Sequence, residues 1–305
     1  MSDALDLIDG IIYADAFDCA LTLEEGWRYS RVRVSLAEMR EKIARAPLRE
    51  ILGERDGYYF LRGREDLVAQ RIERRRRAAR LKQRAGSVAQ WLQYAPFVRG
   101  LVLTGSVAAD DAPADADVDM LVIVARDRIG LAFVVLGSLS RLLSRRLFCP
   151  NYYVSEAHLV FTRRDYYIAR ELTQAVPLTE TAHALLDANS WVQEQMPNRV
   201  AADAPARKLA AGAMVQRLLE APFRGRFGSW CERRAGRIVA SRLVAHYRGF
   251  RPAVPPEIEE RFANEIELRF HAEPRVDRAL ERYRIRREQL AYQLKEIASS
   301  DNVRA

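Results

Sequence analysis

The segment LVLTGSVAADDAPADADVDMLVIV, residues 101–124, constrains this chain more than any other stretch. Two apolar runs read as strands; the first delivers Gly105-Ser106, and the second carries Asp117 and Asp119. In an extended strand, side chains two apart share a face, separated by about twice the 3.3 Å rise. Both carboxylates are therefore expected to converge on one small volume. Mg²⁺ is commonly held by one or two carboxylates together with water and substrate phosphates, and paired ions about 3.5–4 Å apart serve phosphoryl transfer. Gly105 lets the backbone approach a phosphate closely, and Ser106 offers an N–H and a hydroxyl to it.

The rest of the composition narrows the function class. A chain of 305 residues, 49% hydrophobic and 30% charged, has enough apolar surface for two or three domains. Its net charge is +8, carried almost wholly by Arg; only Lys42, Lys82, Lys208 and Lys295 are Lys. The three cysteines, Cys19, Cys149 and Cys231, are far apart and form no CxxC, and the four histidines show no ligand spacing. Reduced thiols in a cytoplasmic protein are expected, with no zinc centre. The acidic N-terminus does not read as a signal or transit peptide. The longest apolar stretch, 129–143, is too short to span a bilayer, so no membrane partner is expected.

Periodicity divides the chain into three parts. Residues 1–70 combine helical spacing, a capping box at Ser35 and Glu38, and an Asp56-Gly57 hairpin signal before YYFL. Helices followed by a two-stranded wing predict a winged-helix-like module, which can bind nucleic acid or serve protein contact. Residues 71–200 hold the strand pair and its flanking helices, preceded by a linker helix over 66–94. Its Arg74–Arg77 run reads as a solvated face. Strands are expected at 97–105, 118–125 and 148–155, with HLVF, 158–161, as another short strand. The region 201–305 is expected to be an all-helical C-terminal domain, with helices near 206–222, 229–248, 256–271 and 274–297. The fold class is thus α+β: a small mixed sheet flanked by helices.

The order helix, strand, Gly-Ser, Asp-x-Asp strand, seen in TGSVA at 104–108 and ADVDML at 116–121, resembles the nucleotidyltransferase superfamily related to DNA polymerase β. PFVRGLVLTGSVA, FCPNYYVSEAHL and ARELTQAVPL extend the likeness over residues 50–200, to a family of bacterial nucleotidyltransferase-domain proteins. The resemblance implies a polymerase β-like core that transfers a nucleoside monophosphate from a nucleoside triphosphate to a hydroxyl or phosphate acceptor. It further implies Mg²⁺ or Mn²⁺ on Asp117 and Asp119, and phosphate contacts from Gly105 and Ser106. A third carboxylate is usual on a neighbouring strand. The strand CPNYYVSE has Asn151 at that place and Glu156 at its end, on the opposite alternation; Asp165 is more remote. Asn151 is accordingly assigned to nucleotide binding and Glu156 to catalysis. Ala109-Asp110 stands where many relatives carry Arg-Gly, leaving Arg126, Arg145 or Arg146 to meet a phosphate.

Two other functions compete with transfer. Asn151 in place of an acid suits a protein of the same fold that binds nucleotide or scaffolds a complex without turnover. The wing-like N-terminus and basic charge, with Arg-rich stretches at 224–237 and 282–287, suit nucleic-acid binding. Asp110 and Asp111 read as solvated loop residues, and Asp115 shares the alternation of the pair. Paired and single aromatics, Trp91, Trp191 and Trp230 among them, read as core.

Overall fold

Thr22 and Ser35 set the first local structure. Each accepts a backbone N–H from the Glu three residues on, whose carboxylate returns a bond to the cap, so both helices start in capping boxes. The chain opens with α1 (Ser2–Leu7), α2 (Asp9–Asp15), β1 (Leu21–Thr22), α3 (Leu23–Arg28), α4 (Leu36–Ile43) and α5 (Leu48–Ile51). The hairpin β2 (Leu52–Arg55) and β3 (Tyr58–Leu61) follows. Asp56 and Gly57 both take positive φ, 54° and 77°, the backbone that a two-residue turn matched to strand twist requires. The three strands are antiparallel in the order β1-β3-β2.

After α6 (Asp66–Leu92) come β4 (Val98–Leu103), α7 (Gly105–Ala108), β5 (Asp119–Val124), α8 (Ile129–Leu143) and β6 (Cys149–Ser155). α9 (Tyr166–Gln174), β7 (Val176–Pro177), α10 (His183–Ala188), α11 (Val192–Gln195), α12 (Ala210–Glu220), α13 (Gly225–His246), β8 (Glu267–Arg269) and α14 (Glu273–Arg304) complete the order. This computed structural model describes residues 2–144, 146–200, 210–247, 259–260, 262, 267–269 and 273–304. The class is mixed α+β.

The second sheet runs β7-β4-β5-β6-β8. β5 and β6 are parallel, joined by the crossover helix α8, and the other neighbours are antiparallel. Its strands are buried on both faces, which is why LVL and MLVIV are continuous apolar runs rather than alternating ones. Val102, Leu121, Ile123, Tyr152 and Val154 face one core, with α2, α9, α10 and the N-terminal helices. Leu101, Leu103, Met120, Val122, Val124 and Tyr153 face the other, with α6, α8 and α13.

The core crosses the boundaries expected near residues 70 and 200. Leu5 through Leu61 share one cluster with Phe161 through Met196 and with Tyr283, Leu290 and Leu294 of α14. Asp9, fully buried, explains that return: Tyr283 Oη donates to it at 2.6–2.7 Å, Arg287 Nε lies at 3.1 Å, and Arg31 pairs with its other face. A buried carboxylate is tolerated only with such partners.

Three local expectations change. Residues 267–269, within the helix expected at 256–271, form β8, whose Glu267 accepts from Tyr152 Oη at 2.8 Å and whose Leu268 is fully buried. The remainder of that helix lies largely outside the described residues. HLVF is not a strand, because its backbone finds a side chain instead: Asn189 accepts from Phe161 N and donates to the Leu159 carbonyl, both at 2.8 Å. The last helix continues through Arg304.

Candidate functional site

β4 and β5 are antiparallel, so the end of β4 meets the start of β5. Thr104 N donates to the Asp119 carbonyl at 3.0 Å, bringing Gly105-Ser106 beside the first residue of β5. Gly105 has φ +67°, and a Cβ there would lie 2.7 Å from Asp119 Oδ2. Only glycine therefore lets the turn and the carboxylate approach so closely. Gly105→Ala is expected to cost about 1–2 kcal/mol from the left-handed backbone alone and to displace Asp119. Denaturant unfolding midpoints of the two proteins check it.

Asp117 lies two residues ahead on the extended approach to β5, partly exposed, with no hydrogen bond or ion pair among the described residues. Ser106 is half-buried, and its side chain likewise has no hydrogen-bond partner among them. Parallel pairing sets Asp119 opposite Cys149 at the start of β6. From there Asn151 donates its Nδ2 to Asp119 Oδ1 at 2.7 Å, while its own Oδ1 is buried without a partner. Gly105, Ser106, Asp117, Asp119 and Asn151 are thus gathered at one end of the sheet.

Glu156 is not with them. It follows β6 at the far end, seven residues past Cys149 and so roughly 23 Å along the strand direction from Asp119. There it accepts from Arg126 N at 3.1 Å and pairs with Arg99 at 3.5 Å. Its assignment to catalysis is corrected for that reason, and Arg126 sits at the same wrong end. Asp165 caps α9 by accepting from Ile168 N. Arg146 is exposed on the turn entering β6 at the Asp119 end, Asp115 is an exposed turn residue, and Arg145 lies outside the described residues.

The carboxylate that sequence reasoning missed is Glu171. The last turn of α9 leads into β7, and Val176 pairs with Leu103, the final residue of β4. That connection sets Glu171 against the Gly105 N–H and within electrostatic reach of Asp119. Burial raises its pKa to about 7, with Arg170 and the Gly105 N–H opposing the rise and Asp119 adding to it. Arg170 anchors this turn, its guanidinium stacked 3.5 Å from the Tyr29 ring centroid and 5.1 Å from that of Tyr13. The one sequence signal was an acid set between two residues of the buried side of an amphipathic helix.

The raised Glu171 pKa has a signed consequence for stability. Below about pH 4.5 both folded and unfolded chains carry the proton; as pH rises toward 7 the unfolded chain ionises first, and the folded state loses stability. The loss is complete above pH 7 and amounts to about 3 kcal/mol. Glu171→Gln should remove this fall, so its advantage in thermal unfolding over wild type appears at pH 8 and vanishes at pH 4.

The loop from Ala109 to Ala112 is clamped by α6. Arg71, 1% exposed, donates to the Ala109 and Asp110 carbonyls and pairs with Glu25 at 2.6 Å and Asp111 at 3.5 Å. Arg74 holds Asp111, Arg77 donates to the Ala112 carbonyl, and Lys82 pairs with Asp110. The Arg run is therefore only partly a solvated face, and Asp110 and Asp111 are bound rather than free in solvent. Asp111 N in turn donates to the Ser106 carbonyl at 2.8 Å, so the clamp fixes the Gly-Ser turn from behind.

Among the described residues, no three His, Cys, Asp or Glu side chains group to hold a metal ion. The donors at the β5 end are of another kind: an unpaired carboxylate, Asp117, and a buried amide oxygen without a partner, Asn151 Oδ1. Such hard oxygens fit a Mg²⁺ that takes its remaining ligands from water and phosphate. In comparison with known proteins, the chain matches no family model, no curated protein and no solved structure.

Proposed function

We propose that this protein is a metal-dependent nucleotidyltransferase, moving a nucleoside monophosphate from a nucleoside triphosphate to a hydroxyl or phosphate acceptor. The observation that carries the reading is the contact of the Gly105 turn with Asp119, in which only a glycine fits. It sets the turn that would meet a phosphate directly against a carboxylate at the start of β5, the central strand of the sheet. The strand order supports a polymerase β-like core, with β5 parallel to β6 and antiparallel to β4.

In this reading the Ser106 hydroxyl and N–H take the terminal phosphates, and Asp117, Asp119 and the Asn151 carbonyl hold Mg²⁺ or Mn²⁺. The cation, when bound, neutralises the triphosphate and the leaving pyrophosphate. Asp117 and Asp119 orient the α-phosphate against the acceptor, and the clamp on 109–112 keeps the turn from relaxing, so that catalysis is largely positioning. Glu171, from a helix rather than from β6, adds a carboxyl group against the Gly105 N–H and within electrostatic reach of Asp119, outside the metal ligands.

A second reading is binding without turnover. The Asn151 amide already occupies Asp119 Oδ1 at 2.7 Å and cannot act as a base. The two readings separate in one assay: purified protein, Mg²⁺ or Mn²⁺, each of the four nucleoside triphosphates, with calorimetric binding and pyrophosphate release measured together. Binding with release supports transfer; binding without release supports the sensor or scaffold; no binding sinks both.

The order two helices, strand, three helices, two strands, with sheet order β1-β3-β2, supports a winged-helix-like reading of the N-terminal module. Its exposed helix α4 mixes Glu38 and Glu41 with Arg40 and Lys42. That balance favours protein contact over nucleic-acid binding there, since phosphate recognition needs an excess of basic charge.

A further inference from the structure

α12 is amphipathic the wrong way round. Among the described side chains its one buried residue is the polar Gln216, whose Nε2 donates to the Ala95 and Val98 carbonyls at 2.8 and 2.7 Å. Glu220, at its end, is likewise turned inward to Phe97 N and Arg99. Met214, Val215, Leu218 and Leu219 point to solvent, between 49% and 65% exposed. An ordinary surface helix does the reverse, and an apolar stripe left outside marks an interaction surface.

The next helix continues the pattern. α13 buries Glu232, Ala235, Val239 and Leu243, the edge that packs on α8, and exposes Phe227 and Trp230 elsewhere. Phe223, Phe227 and Trp230 form a run of rings 6.1 Å apart that leads from the turn after α12 onto α13. Trp91, expected in the core, is 81% exposed at the end of α6, one turn before Tyr94, whose ring fills the space beside Gly212 of α12.

Charge says what covers this face. Every exposed charged residue on α12 and α13 is an Arg: Arg217 on the first, and Arg226, Arg233, Arg234, Arg237 and Arg242 on the second. None of them forms an ion pair among the described residues. The only two acids, Glu220 and Glu232, are internal, the latter accepting from Gly130 N and Leu131 N. Exposed aliphatic side chains on α12 and exposed Arg on both helices, without an ion pair among the described residues, suit a partner that is anionic at its surface and apolar just beneath. Nucleic acid offers stacking faces for Trp230 but nothing for Met214, Val215, Leu218 and Leu219.

We propose that α12 and α13 dock this protein on an anionic lipid bilayer surface, with the apolar side chains in the acyl boundary and the Arg among the headgroups. No helix among the described residues is long and apolar enough to cross a membrane. A helix lying in the interface needs no such length. The attachment proposed is peripheral, and the inference does not depend on the nucleotide chemistry.

The full chain should sediment with vesicles of phosphatidylglycerol and phosphatidylcholine, not with phosphatidylcholine alone, and high salt should release it. Arg233→Gln with Arg237→Gln should weaken binding roughly thirtyfold, and Leu218→Asp with Leu219→Asp should abolish it, with circular dichroism unchanged in both. Tryptophan emission of the wild type should shift to the blue on anionic vesicles, and less so in Trp230→Phe. Equal binding to neutral vesicles, or none to anionic ones, overturns the proposal. So does self-association that the Leu pair abolishes without vesicle binding, which assigns the face to a second copy. Oligonucleotide binding that survives the Leu pair, in a chain that ignores vesicles, overturns it in favour of nucleic acid.

Discussion

Asp117→Ala combined with Asp119→Ala leaves the protein folded and reduces nucleotide transfer by about 10³-fold or more, the scale at which removal of a preorganised electrostatic contact is felt. Folding should survive because Asp117 has no hydrogen bond or ion pair among the described residues, and the Asp119 main chain keeps its bond to Thr104 while only the carboxylate's contacts, among them the bond from Asn151 Nδ2, are lost. The loss should fall on the chemical step and on metal-dependent affinity for the triphosphate. The check is a pair of measurements on the double variant: unfolding midpoint and pyrophosphate release in Mg²⁺. Release that persists at the wild-type rate sinks the assignment of these two residues. Release that was never present in the wild type leaves the binding-only reading standing, distinguished by whether the double variant also loses metal-dependent nucleotide affinity.

Arg71→Met is expected to destabilise the fold by about 3–5 kcal/mol, since it breaks a buried ion-paired network while leaving the partners inside. Glu25 and Asp111 lose their common cation, and the Ala109 and Asp110 carbonyls lose a donor. Methionine preserves most of the volume, so the effect reads charge and hydrogen bonding rather than a cavity. Arg76, five residues on, is an exposed side chain paired among the described residues only with Glu73, and Arg76→Met should change stability by no more than about 0.5 kcal/mol. Denaturant unfolding of both variants tests the contrast. Hydrogen exchange adds a local readout: in Arg71→Met the Asp111 N–H, which holds the Ser106 carbonyl, should lose protection beyond the global change. Equal effects at 71 and 76 would mean that the clamp carries no stability.

Much of the architecture was legible because its determinants are local. Ser35 with Glu38 specifies a helix start through bonds within four residues, and Asp56-Gly57 specifies a hairpin through two positive φ angles. The apolar runs on either side of the Gly-Ser turn specify strands buried on both faces. The meeting of the Gly105-Ser106 turn with Asp119 was legible in the order of two apolar runs, because an antiparallel pair brings the end of one strand to the start of the next. Asn151 was placed by counting along the next strand, and parallel pairing then set it beside Asp119.

The misreadings share a cause. Glu156 and Asn151 are five residues apart on or next to one strand, and only the pairing register shows that the former is carried to the opposite end. HLVF has the composition of a strand, but the Asn189 side chain, some thirty residues away, meets its backbone. The 267–269 segment became a strand because β6 had an open edge to receive it. The Arg run on α6 looked like solvated charge because the groups it binds, the Asp111 carboxylate and the Ala112 carbonyl, lie more than thirty residues downstream.

By itself the sequence determined the local elements, the Gly-Ser turn and the carboxylate pair, because capping, turn backbone and strand alternation are decided within a few residues. Only the tertiary structure decided which groups surround that pair. Glu171 reaches Gly105 because α9 runs into β7 and β7 pairs with β4, and Arg71 reaches the loop because α6 crosses behind it. Those contacts join positions tens of residues apart, and their energies depend on burial and register that no single segment carries.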